Sequence, residues 1–197
     1  MIIAAIDPGV KNFAIAVEYV DTATFHPLVH AKDIDTALLC SETVYTNVRD
    51  IACDNPVKAV TCLLKDYTWI WEMCDVVVIE RQMQFGGVVN NTCLRIAHHC
   101  MSFLELFYPS VDVLEYQSSN KTRVLNAPKG MSKPQRKKWA VDTVTGILNN
   151  RGDTRTLQLL GDIKSSGQKL DDICDCILMC LTHCILLGKK TRRSFIS

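Results

Sequence analysis

Three short stretches of the chain place carboxylates where an apolar element ends or begins: "IDPGVKN" around Asp7, "VVVIERQ" around Glu80, and "KLDDICD" with Asp171, Asp172 and Asp175. Asp172 and Asp175 are spaced i, i+3 and Asp171 and Asp175 i, i+4, so on a helix either pair shares a face. Carboxylates gathered in one place repel unless cations neutralise them. Oxygen-only ligation suits Mg²⁺ or Mn²⁺, and a pair of such ions suits phosphodiester hydrolysis, one activating a water and the other stabilising the leaving oxygen. Plainer uses stand beside this one. An Asp before Pro-Gly is a common turn former, and Asp-Asp at a helix start caps it and complements its dipole. Asp175 fits capping less well, because it lies a turn further in, between Cys174 and Cys176. Glu80 follows "VVVI" directly.

The elements that must position these groups read as one α/β domain. Residues 2–7 and 13–20 alternate or run apolar and are joined by a Pro-Gly-Asn connection, which predicts a hairpin. Residues 26–32 suggest a third, weaker strand. A helix is expected over about 56–74, with Val57, Val60, Leu64 and Tyr67 on one side, followed by a buried strand at 75–80. A second helix is expected over about 92–107 with Leu94, Ala97, Met101 and Leu104 on one face, then a strand in "VDVLEY". A basic loop leads to a helix from about 134, and a long helix from "KLDDICD" closes the fold near Gly188. The expected sheet has five strands, the first three antiparallel and the later ones parallel, flanked by helices. The domain is expected to span 1–188, with 189–197 as a basic tail.

Hydrophobic residues make up 48% of the 197 and charged residues 22%, an ordinary balance for a globular chain rather than a disordered one. No apolar run reaches the roughly 20 residues of a membrane span. The start shows neither a basic segment nor a cleavage site, so an intracellular protein with no membrane association is expected. The ten cysteines are scattered and read as reduced, packed thiols. Cys176, Cys180 and Cys184 form a straight helical stripe, a poor arrangement for tetrahedral zinc. Net charge is only +1, yet seven Lys or Arg and no Asp or Glu lie between Tyr116 and Lys138, and "KKTRR" adds four more. Half of the 22 basic residues therefore sit in two short segments, which points to a polyanion surface. The tail suits a DNA-contacting segment or a nuclear signal.

Taken in order, "IDPGVKN", "IERQ", "RKKWAVD" and "KLDDICD" resemble the RuvC-like Holliday junction resolvases of the RNase H-like superfamily, and most of all their poxvirus-type viral and fungal mitochondrial branch. The resemblance runs the length of the chain and implies an RNase H-like fold. It implies a Mg²⁺-dependent endodeoxyribonuclease, with Mn²⁺ as substitute and two ions per site. It further implies a homodimer that cuts a four-way DNA junction by paired symmetric nicks, with no organic cofactor. Asp7, Glu80, Asp172 and Asp175 match the metal-binding carboxylates, with Asp171 as a possible fifth. Lys121 and one of Lys137 or Lys138 match the lysines at the scissile phosphate, Lys138 being the expected catalytic one. Lys121, Arg123, Lys129, Lys133, Arg136, Lys137 and Lys138 are expected along the nucleic acid. Phe85, with Gly86 and Gly87, reads as a loop beside the site whose aromatic ring wedges against unstacked bases. The helix at 92–107 is the expected dimer interface, and its His98–His99 pair reads as surface or interface polarity. Such an enzyme, if viral, acts in the cytoplasm or nucleus of a host cell. The competing readings are an RNase H-like nuclease for flaps, other branched DNA or RNA–DNA hybrids, and a binder without catalysis. A binder has no use for a costly acidic cluster.

Overall fold

The structure is a computed structural model and describes residues 1–20, 43–51, 53, 55–82 and 90–194. Strands β1 (Ile2–Pro8) and β2 (Phe13–Tyr19) form the expected antiparallel hairpin, with Asp7 opposite Ala14. Its turn depends on Gly9: a Cβ there would sit 2.4 Å from the Asn12 carbonyl oxygen. Strand β4 (Val76–Glu80) runs parallel to β1, and β5 (Asp112–Tyr116) runs parallel to β4. The third strand is β3 (Thr43–Thr46), antiparallel to β2. The segment 26–32, expected to supply it, lies outside the described residues. The sheet order is β3-β2-β1-β4-β5.

Alternation along β1 and β4 divides the interior into two cores. Ile3, Ala5, Val76 and Val78 face one side, where they meet helix α5 (Lys133–Arg151), helix α6 (Thr154–Ser165) and helix α7 (Asp171–Ser194). Ala4, Ile6, Val77 and Ile79 face the other side, against α1 (Pro56–Asp66), α2 (Thr68–Met73) and α3 (Asn91–Phe107). The period of two carries straight through to the carboxylates. Asp7 shares its parity with Ile3 and Ala5, and Glu80 shares its own with Val76 and Val78. Both therefore belong to the face that α7 covers.

Several elements differ from the sequence reading. The helix expected over 56–74 breaks at Tyr67 (φ −108°, ψ 26°), where the buried Trp71 indole N–H donates to the Leu64 carbonyl at 2.7 Å. A short helix, α4 (Ser119–Val124), and the whole of α6 stand where no element was expected. Helix α3 buries Cys93, Ile96, Ala97, Cys100, Phe103 and Leu104, while Leu94 and Met101 are only partly covered. Helix α7 continues past Gly188 to Ser194. Its cysteine stripe packs on the hairpin, with the Cys176 thiol 3.4 Å from the Ala14 carbonyl and that of Cys180 3.6 Å from those of Ile3 and Ala16. The end of α5 is locked to β2 by Arg151, which reaches the buried Glu18 at 2.8 Å and Asp153 at 3.3 Å. No helix among the described residues is long and apolar enough to cross a membrane.

Candidate active site

Strands β1 and β4 are parallel, so their C-terminal ends lie at the same edge of the sheet, where sites gather in such folds. Asp7 and Glu80 stand there. The first turns of α7 bring Asp171, Asp172 and Asp175 over the same edge. Elements far apart in sequence thus bring their carboxylates together, and the electrostatics record it. Burial, then Glu80 and Asp172, push the Asp7 carboxyl well above the usual carboxylate range, against the opposing pull of Lys121. Asp172 is pushed up to about 6 by burial and Asp171, although Asn12 hydrogen-bonds to it. Its Oδ2 is buried without any hydrogen-bond partner. Asp175 is raised by burial, with Lys121 opposing.

Lys121, on α4, is the cation at the centre. Only 4% of it is exposed, and its Nζ lies 3.2 Å from Glu80 Oε1 and 3.1 Å from Asp175 Oδ1. Burial alone would lower its pKa; the two carboxylates outweigh that and hold the ammonium charged. Of the two adjacent lysines on α5, Lys137 is the one at this edge, paired with Asp171. Lys138, expected at the scissile phosphate, instead pairs with Asp142 one turn along the exposed face of its own helix. The reason is geometric, since neighbouring helical positions point about 100° apart. Phe85 lies outside the described residues.

Two cavities flank the acids. One of about 450 Å³ is lined by Glu80 and Asp175 with Lys121, Lys133, Arg136 and Lys137, and Trp139 forms part of its wall. The other, of about 460 Å³, is lined by Asp7 and Asp172 with Lys11, Asn12, Arg49, Asn90 and Thr92. None of those last five was expected from the sequence. Only "VKN" beside Asp7 hinted at Lys11 and Asn12, and Arg49, Asn90 and Thr92 arrive from distant elements. Arg123 and Lys129 line a third cavity between α4 and α5.

As the side chains stand, no three His, Cys, Asp or Glu among the described residues are placed to hold a metal ion. The donor set nevertheless fits a hard divalent cation. It offers carboxylate oxygens alone, one of them orphaned on Asp172, and an ammonium already supplies positive charge between two of the acids.

The profile of the family described as Poxvirus A22 protein matches residues 1–187. The chain is 36% identical over 113 residues to "uncharacterized protein 97L" of invertebrate iridescent virus 3, a match covering 57% of this chain and 49% of that one. It spans about half the length of the curated relatives it matches. Among solved structures it is similar to fowlpox virus resolvase in complex with substrate Holliday junction DNA (TM-score 0.63, 21% identity, 95% of this chain and 99% of that one). It is also similar to the yeast mitochondrial Holliday junction resolvase (TM-score 0.59, 15% identity, 98% and 83%). At these identities the likeness is one of fold, that of the RuvC-like resolvases.

Proposed function

The chain belongs to the Poxvirus A22 protein family, and we propose that it is a divalent-metal-dependent endonuclease that resolves four-way DNA junctions by paired symmetric nicks. The observation that carries this reading is the convergence of Asp7, Glu80 and the α7 aspartates at one sheet edge, around a buried lysine and beside a basic surface. Asp7, Glu80, Asp172 and Asp175 would hold the metal, with Asp171, paired with Lys137, beside them. When bound, two Mg²⁺ ions, or Mn²⁺ in their place, supply a nucleophilic water and charge for the leaving oxygen.

The protein's own residues do the rest. Lys121 and Lys137 present ammonium groups to the scissile phosphate, with Lys138 further out. Arg123, Lys129, Lys133 and Arg136 draw the backbone in without reading sequence. Two coordinated cuts need two sites, which a homodimer supplies. Leu106 and Phe107, 74% and 59% exposed, offer an apolar contact at the end of α3. With relatives among viruses, the place of action is an infected host cell, in its cytoplasm or nucleus.

The test is cleavage of matched four-way, three-way and linear duplexes, and of an RNA–DNA hybrid, with Mg²⁺. Paired symmetric nicks confined to the four-way substrate are expected. Equal cutting of linear DNA or hybrid would reassign the enzyme to another RNase H-like nuclease.

A further inference from the structure

The cations between Lys121 and Lys138 fall into two groups. Lys121, Lys137 and Lys138 each hold a carboxylate. Arg123, Lys129, Lys133 and Arg136 hold none among the described residues. Three of these four, Arg123, Lys129 and Arg136, line a single cavity of about 730 Å³ at the corner between α4 and α5, and no Asp or Glu lines it. We infer that this cavity is a discrete binding site for a backbone phosphate of the DNA strand leading away from the cut, with Arg123 and Arg136 as its ligands and Lys129 beside them. The inference rests on the nuclease reading above and gives the strand a direction.

The geometry of the two guanidinium groups suits the role. Arg123 donates through Nη2 to the Asn120 side-chain oxygen at 2.7 Å, and Arg136 through Nη1 to the Met131 carbonyl at 3.3 Å. Each is anchored by one corner to a neutral acceptor. A guanidinium carries five N–H donors in a planar fork, so most remain for a phosphate, which it can grip with two of them. The loop that completes the wall is bent by backbone in the left-handed region at Asn126 (φ 53°) and Gly130 (φ 76°).

Continuity supplies the second argument. Ser119, Thr122 and Arg136 line both this cavity and the one holding Glu80, Lys121 and Asp175. A strand whose reacting phosphate lies at the acids can therefore run on into the corner. Charge supplies the third. At the acids Lys121 and Lys137 are paired with carboxylates, so they offer a phosphate a contact once it has arrived but little attraction from a distance. The uncompensated group next door provides what the cluster cannot, and its pull comes from outside the reacting centre.

The experiment measures binding of a labelled four-way junction in EDTA across a salt series. It compares the wild-type chain, R123A, R136A, the double variant and K58A, the last on the opposite layer. Each arginine removed is expected to weaken binding about 5–10-fold at 0.1 M salt and to flatten the log–log salt slope by about one. K58A should match the wild type. Where alanine lowers the melting temperature, R123Q and R136Q replace it. Methylphosphonate scanning then locates the contact: wild-type binding should weaken at phosphates next to the cut on one strand, and the double variant should not respond there. Competition by inorganic phosphate at concentrations that leave salt effects unchanged, with no response to the scan, would mean a free-anion site and overturn the assignment. So would unaltered affinity and slope in the double variant. A wild-type chain that binds junctions but never cuts them would instead overturn the nuclease reading, leaving the slopes to judge this site.

Discussion

Glu80 and Asp175 share a cation that the chain itself provides, whereas Asp7 and Asp172 have no ion-pair partner among the described residues. The first pair is compensated by the buried Lys121. The second is held above its ordinary range by burial and by its acidic neighbours, with an oxygen of Asp172 bonded to nothing. Four similar residues thus do two jobs before any metal arrives. Lys121 offsets part of the burial cost of the first pair, whose Asp175 is still raised, and no cation among the described residues pairs with the second. An active site built this way is divided into a half that shares one ammonium between two carboxylates and a half that has none.

The largest expected effect tests both halves at once. D7N and D175N should each lower single-turnover junction cleavage by at least about a thousandfold, the scale of losing a preorganised charged group at the reacting centre, while junction binding stays close to wild type. Retained cleavage in a quantitative gel assay would undo the site. Stability should then separate the halves by sign. E80Q leaves Lys121 buried with a single carboxylate and should cost on the order of 3 kcal/mol, whereas D7N removes a disfavoured charge and should raise the melting temperature in EDTA. Equal shifts in calorimetry would erase the difference between the two halves.

A smaller effect follows from Asp172, whose folded value of about 6 stands above the ordinary 3.8. Between those values the folded chain binds more protons than the unfolded one. Its contribution is therefore fully present below about pH 4 and is lost as pH rises through 6. Melting temperatures of the metal-free protein should fall across that window, and D172N should flatten the fall. Saturating Mg²⁺ should flatten it too, by keeping the carboxylate ionised. The smallest effect concerns adjacent lysines. K137A should slow cleavage about tenfold or more, as for loss of a placed charge-assisted contact, and K138A should stay within about twofold of wild type because its partner is a solvent-exposed helical neighbour. The reverse ranking in a side-by-side rate measurement would move the site to the other lysine.

What was legible in the sequence follows from what local pattern can carry. The strand ends at Asp7 and Glu80 were readable because an apolar period of two runs directly into a carboxylate. The helix motif was readable because i, i+3 and i, i+4 spacings survive folding unchanged. Helix α4, six residues of "SNKTRV", has no apolar period to detect, and α6 carries Gly161 at its centre, which reads as a breaker. The choice between Lys137 and Lys138 depended on the rotation of α5, of which only Ala140, Val144 and Leu148 are buried. So sparse a stripe does not fix a rotation. Asn90 and Thr92 reach the Asp7 cavity through the packing of α3 on the sheet, and Arg49 through a short turn, Val48–Asp50, whose Val48 N–H donates to the Val10 carbonyl at 3.0 Å; no spacing in the chain encodes either.

The cysteine-rich interior has a consequence for how the protein ages. Burial pushes the thiols of Cys74, Cys100, Cys174 and Cys184 up to about 12, so they carry almost no thiolate, the form that oxidants and alkylating agents attack. Cys53 and Cys62 differ: both are half-buried, and their sulfurs lie 3.9 Å apart. Among the described cysteines, peroxide or air should therefore find its first target there, on the α1 side of the sheet. The acidic edge and the hairpin beneath it would come through the same exposure chemically intact.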